Sequence, residues 1–385
     1  MDRIVFLLAF ITALSPISTD MYLPAIPELQ RIWNQPLVVI NLTLVAFFAT
    51  YCLFLLVYGP VSDRFGRKRP LLVSFSLYIV ASLLCALSPG IKWLIAARIL
   101  QGAGAAAGNA LTLAITKDLY EGIEQEKIFA YLGMIIGIAP MLAPTLGGLV
   151  LRWLTWEWIF IFQACCGVIA LIGIARMPET LREPSRTGVK KLLGKYTILL
   201  RNRRYLFLTL AVALMSFSMF SFIAGSATMY IAGFGVNETT YGYFFAFNGT
   251  ALILAPLLLT RFAGTFSATQ IMRFAALGIL CAGAWMILEW NTTPWRLALP
   301  MWCVSFCFSL SRPVSNHLIL SQVDRDTGTA SSLMTFLYFL TGAMAIWLIS
   351  LDWENPIAVM GIMNVIVGGM ALTFWIAWTK VVGKR

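Results

Sequence analysis

Twelve stretches of about 20 apolar residues recur along the chain, each long enough to cross the hydrocarbon core of a bilayer. They run over 4–26, 39–61, 70–88, 92–116, 128–151, 156–176, 205–233, 242–262, 270–289, 297–321, 327–350 and 356–379. A segment in hydrocarbon must satisfy its own backbone hydrogen bonds, so the runs are predicted to be helices. Charged residues make up only 12% of the sequence, about half the share in a soluble domain. The expected fold class is therefore an all-α membrane protein with the lipid bilayer as its solvent. The first run is too long, and lacks the cleavable small-residue end, for a signal peptide.

A net charge of +11 raises nucleic acid as a partner, and the placement of the charge argues against it. With the N-terminus inside, Arg31, Lys92, Arg152 and Arg296 are the only basic residues on the outer side, and Arg98 and Arg312 fall within spans. That asymmetry is the positive-inside rule, which puts both termini in the cytoplasm. Trp33, Trp93, Trp153, Trp156, Trp158, Trp290, Trp295 and Trp353 gather at the opposite ends and suggest an outer aromatic belt. All seven cysteines fall within spans, none forms a CxxC pair, and the single histidine is His317. No metal site or cofactor is expected from such a set.

The longest polar interval, 177–204, contains Arg182, Arg186 and several lysines and separates six spans (1–176) from six more (205–385). Within it, residues 190–200 suit either a short amphipathic helix on the inner membrane surface or a flexible tether. The halves share a faint internal similarity. Phe47-Phe48-Ala49 with Arg64-Phe65 lines up with Phe244-Phe245-Ala246 with Arg261-Phe262, Met21-Tyr22 with Met229-Tyr230, and Asp118 with Asp324. Such duplication is expected of transporters. Asp20, however, has Thr228 as its counterpart and Arg98 has Val304, so the ionisable machinery is concentrated in the first half.

Ser18-Thr19-Asp20-Met21-Tyr22-Leu23-Pro24 sets a carboxylate inside the first span. An acid at that depth usually faces an internal cavity and has a function there. The alternative is that Asp20 ends the helix at the water interface, which Pro24 and Pro27 would allow. Arg98 on the fourth span falls at a similar height and is expected either to face the bundle interior or to snorkel to the outer headgroups. Tyr22, Tyr51, Gln101, Asn109, Asn248, Arg312 and Asn316 should avoid lipid and are candidates for substrate contact. Phe217, Phe220 and Phe244 suit an apolar wall for a small-molecule substrate. Arg312 and His317 also suit an inner gate.

Several of these stretches resemble a known family. Gly59-Pro60-Val61-Ser62-Asp63-Arg64-Phe65-Gly66-Arg67-Lys68-Arg69-Pro70, between the second and third spans, resembles the signature loop of the major facilitator superfamily. Arg98-Ile99-Leu100-Gln101-Gly102 resembles the proton-transfer motif of its drug:proton antiporters. On the fifth span Gly133, Gly137, Pro140, Pro144, Gly147 and Gly148 resemble the antiporter motif, with Ala143 where a glycine is usual. Together with Asp20-Met21-Tyr22-Leu23-Pro24 the chain resembles the Bcr/CflA branch of 12-span multidrug exporters.

The resemblance implies the major facilitator fold, two pseudo-symmetric six-helix bundles, in a monomer of the bacterial inner membrane. It implies proton-coupled export of small drug-like amphiphiles, with amphenicol- and bicyclomycin-like antibiotics as candidates, and Asp20 and Arg98 as the proton-coupling residues. Gating would fall to Gly59, Asp63, Arg64, Gly66, Arg67 and Asp118, and to Pro140, Pro144, Gly147 and Gly148. Asp118 is implied to pair with an arginine of the loop, Arg67 first among them. Asp63 suits the positive end of the eleventh span, near Thr327. An exporter of an endogenous metabolite such as a sugar or nucleoside would use the same motifs. An enzyme would need a nucleophile or metal constellation that this composition does not offer.

Overall fold

A computed structural model of the chain describes residues 3–181, 189–261, 265–288, 292–323 and 327–382. Arg182, Arg186, Trp290 and Asp324 lie outside the described residues. The rest is helical: α1 (Arg3–Asp20), α2 (Ile26–Trp33), α3 (Leu37–Phe65), α4 (Lys68–Ala86), α5 (Ile91–Leu119), α6 (Gly122–Trp153), α7 (Glu157–Arg176), α8 (Val189–Arg201), α9 (Arg203–Ala227), α10 (Glu238–Arg261), α11 (Ala268–Ile287), α12 (Trp295–Leu320), α13 (Thr327–Ile349) and α14 (Pro356–Val382). These make 12 segments long and apolar enough to span a membrane, with α1 and α2 sharing the first. Helix α8 is the extra one, and it covers Val189–Arg201 of the polar interval as a helix.

The chain divides into two compact units, Met1–Gly194 and Lys195–Arg385. At the centre of the first stands α5, packed against α1, α3 and α4. Its small residues make that position possible, because in lipid it is close backbone approach that holds helices together. A Cβ on Gly102 would collide with the Phe47 carbonyl of α3. On Gly104 it would lie 2.7 Å from the Tyr78 nitrogen of α4, and on Gly108 it would lie 2.9 Å from the Ile11 carbonyl of α1. In the second unit α11 and α14 meet in the same way, with Gly283 against the Gly361 carbonyl.

Each unit breaks its first span at the same place. In the first, α1 ends at Asp20, a 3-10 turn covers Leu23–Ala25, and α2 restarts at Ile26. Pro24 has no N–H to offer the Asp20 carbonyl four residues earlier, and Pro27 has none for Leu23, so the α ladder cannot run through. In the second, α9 gives way to π-helical turns over Thr228–Gly233 with no proline in them. Inserted π turns of this kind often mark functional positions in helices.

At the ends expected to face outward, Trp93, Trp153, Trp158, Trp295 and Trp353 are exposed, as a belt requires. Trp156 is not part of it. Its ring is buried, edge-on to Trp33 at 5.4 Å and to Phe160 at 6.1 Å, and closes the outer end of the first unit.

Candidate functional site

The break in the first span delivers Asp20 into the interior of the first unit. The residue is 3% exposed, and its carboxyl accepts a hydrogen bond from Thr19 Oγ1 at 2.9 Å. Helix α6 runs beside the break, and a Cβ on Gly147 would collide with the Met21 carbonyl and approach Pro24 Cγ to 3.0 Å. Gly147 is thus the point where the glycine- and proline-rich fifth span seats against the bend that carries Asp20. Gly59, Gly133 and Gly137 have open space where a side chain would go. Pro140 and Pro144 both lie within α6.

Arg98 is completely buried on α5. It faces the bundle interior and does not snorkel. Its guanidinium lies over Phe47 at 4.6 Å, Tyr22 at 5.2 Å and Phe160 at 5.8 Å, rings supplied by three different spans. Nη1 donates to the Ser18 carbonyl at 2.9 Å and to Gln101 Oε1 at 2.7 Å. Among the described residues Arg98 makes no ion pair, with Asp20 or any other acid, and its Nε and Nη2 have no hydrogen-bond partner. The expected neighbours therefore share a site without touching.

The site is held by a polar chain that the sequence reading covered only through Gln101. The amide of Gln101 donates to Ser82 Oγ and to Gln163 Oε1, both at 2.8 Å. Gln163 Nε2 reaches back to the Ile17 and Ser18 carbonyls, and Ser18 Oγ meets Tyr78 OH at 2.6 Å. Gln163 was detectable as an amide within the apolar sixth span; Ser18, Ser82 and Tyr78 carry no such signal. Nearby, Tyr22 OH accepts from Thr43, and Asn109 donates to Tyr51 OH at 2.7 Å while Tyr51 stacks on Phe47.

A second cluster closes the inner end of the same unit. Arg67 donates from Nε to Asp118 Oδ2 at 2.8 Å and from Nη1 to Asp63 Oδ1 at 2.5 Å and Ser62 Oγ at 2.7 Å. Burial acts to lower the pKa of Arg67, and the two acids more than offset it, holding the group above its ordinary value. Arg64 is exposed, over the Phe65 ring. Glu179, read from sequence only as part of the linker, completes the cluster. Its carboxylate accepts the N–H groups of Arg67 at 2.7 Å and Lys68 at 3.2 Å, at the start of α4, as well as those of Thr180 and Leu181. An anion there meets the positive end of the helix dipole. Burial tends to raise the Glu179 pKa, and the four N–H donors override it and hold it below the usual carboxylate range. Gly66 has φ +88°, and any Cβ there would strike the Glu179 carboxyl.

In the second unit the expected substrate residues separate into groups. Phe220 is buried, edge-on to Tyr338 at 5.3 Å, and Arg312 lies over the same Tyr338 ring at 4.3 Å. Phe244 belongs elsewhere, stacked on Tyr230 at 5.1 Å and set against Trp295. Asn248 is buried with both amide atoms unpartnered, and Asn316 Oδ1 is also without a partner. Phe217 is half-buried.

Twelve spans in two units, a carboxyl buried at a helix break and an interior arginine describe a membrane transporter. The sequence profile of the Major Facilitator Superfamily matches residues 8–346, and the chain belongs to that superfamily, a family of transporters and not of enzymes. It is 32% identical to the MFS-type transporter YdgK of Bacillus subtilis, over 95% of this chain and 93% of that one. It is 26% identical to a bicyclomycin resistance protein homologue of Haemophilus influenzae, over 88% of this chain and 86% of the relative. Among solved structures it is similar in fold to a D-xylose-proton symporter, with a TM-score of 0.75 at 16% identity, covering 97% of both chains.

Proposed function

We propose that the protein is a proton-coupled antiporter that exports small drug-like amphiphiles from a bacterial cytoplasm by alternating access, with Asp20 as the proton carrier. The observation that carries this reading is the placement of Asp20 at the break in the first span, buried and next in sequence to the Ser18-Thr19 pair that binds Arg98 and the carboxyl itself. Protonated, Asp20 is neutral and suits its enclosure. When the proton leaves to the cytoplasmic side, Arg98 holds Nε and Nη2 free to receive the new carboxylate. Substrate binding favours that exchange, and reprotonation from outside accompanies release. The relationship to a bicyclomycin resistance protein homologue supports an antibiotic-like amphiphile as substrate, and amphenicol- and bicyclomycin-like compounds are the first to try. The inner cluster around Arg67 acts as the gate of the first unit, and both termini lie in the cytoplasm.

The test is drug-induced proton release in inverted vesicles, comparing the native protein with Asp20→Asn. We expect a transported drug to dissipate an imposed pH gradient in the native protein and the substitution to abolish the effect. Full coupling in Asp20→Asn would remove Asp20 from the proton path.

A further inference from the structure

We propose that Arg312, with Tyr338 and Phe308, forms a subsite in the second unit that takes the carboxylate, or a similarly electron-rich oxygen group, of an aryl-bearing substrate. The proposal rests on the export reading above and narrows its substrate class.

Arg312 lies on α12, eight residues before that helix ends at Leu320, which places it about 12 Å inside the span at 1.5 Å per residue. Of the described acids of the second unit, Glu238 opens α10 and Asp352 and Glu354 lie between α13 and α14; Glu289, Asp324 and Asp326 lie outside the described residues. Among the described residues of the second unit no carboxylate lies in the interior of a span, and this guanidinium makes no ion pair. A cation at such depth without a partner marks a functional position.

The geometry shows what is left free. The guanidinium lies over the Tyr338 ring at 4.3 Å and the Phe308 ring at 5.8 Å. Among the described residues its N–H groups enter no hydrogen bond or ion pair, so the in-plane fork that grips a carboxylate with two parallel bonds is uncommitted. Phe308 stacks on Tyr338, and Phe220 from α9 meets Tyr338 edge-on. Two rings, from α12 and α13, thus lie against the cation, and Phe220 of α9 extends the aromatic wall behind Tyr338, against which an aryl group packs. The contrast with Arg98 decides which arginine meets substrate. Arg98 is completely buried and committed through Nη1, whereas Arg312 is half-buried. A lipophilic cation would be repelled here.

The test is fluorescence titration of the purified full chain in detergent with three matched probes: 1-naphthylacetate, 1-naphthylacetamide and 2-(1-naphthyl)ethylamine. In the native protein the carboxylate should bind tightest and the amine weakest. In Arg312→Gln the carboxylate should lose about tenfold more affinity than the amide, the scale of a lost charge-assisted bond. Arg312→Lys should recover part of that loss, since an ammonium restores the charge without the fork. Equal loss for all three probes would make Arg312 a gate or packing residue and overturn the proposal. So would an amine that binds the native protein as tightly as the carboxylate, or the absence of any probe binding. Proton release with Asp20→Asn is read separately. If the charge-selective loss holds while Asp20→Asn stays coupled, the proton assignment fails and the subsite stands; the reverse result removes the subsite alone.

Discussion

Arg98 is stabilised by a carbonyl, an amide oxygen and three aromatic faces, so its charge depends on neutral neighbours. Gln101 is the hinge of that arrangement, because its oxygen serves Arg98 while its nitrogen serves Ser82 and Gln163. Gln101→Leu leaves an arginine donor and the Gln163 oxygen short of a partner in a site closed to water. Each buried unsatisfied group costs about 1–3 kcal/mol, and the thermal unfolding midpoint in detergent should fall accordingly. An unchanged midpoint would mean that the chain of amides contributes little to the fold. Depth in the sequence placed Arg98 within the fourth span and left open whether it faces the interior or snorkels outward. That it bonds the Ser18 carbonyl and forms no ion pair with Asp20 was not legible, because hydrogen bonding to a main-chain carbonyl leaves no signature in residue type.

At the level of helices, the lengths and order of the spans could be read because hydrocarbon permits few alternatives to a 20-residue apolar helix. The break after Asp20 was foreshadowed by Pro24 and Pro27. Its counterpart at Thr228–Gly233 was not, since a π turn forms without proline and no residue there demands it. Glycine was informative about where to look and less so about which positions matter. Gly147 and the trio Gly102, Gly104 and Gly108 make the close approaches, while Gly133 and Gly137 meet nothing. The start of α4 depends on a partner 112 residues away, Glu179, whose role no local pattern could reveal. Because its pKa is depressed, its contribution is present above the ordinary glutamate value of about 4.3 and is lost as pH falls through the lower folded value. Glu179→Gln should therefore speed amide hydrogen exchange over residues 62–68 relative to the native chain at pH 7. The difference should close only as pH falls through the depressed folded value, where the native carboxylate also takes up a proton. A difference that persists unchanged into acid would show that the charge on Glu179 is not what holds the turn.

For the molecule as a whole, charge bookkeeping across one cycle joins the two proposed sites. Asp20 is the sole acid in the middle of an apolar run of the sequence, so under the proposed antiport a single carrier would bring one proton inward for each substrate sent out. With a neutral substrate that moves one positive charge inward per cycle. With a monoanion the outward passage of negative charge adds a second. Each charge contributes about 2.3 kcal/mol per 100 mV of membrane potential, so a carboxylate is driven twice as strongly by voltage as its amide. In proteoliposomes, transport current divided by substrate flux should give one elementary charge for the neutral compound and two for the carboxylate. Electroneutral export of a neutral compound would mean that no proton returns with it, and Asp20 would lose its role as carrier. A single charge for both compounds would mean that the carboxylate crosses in its protonated, neutral form, leaving no anion for Arg312 to hold during transport.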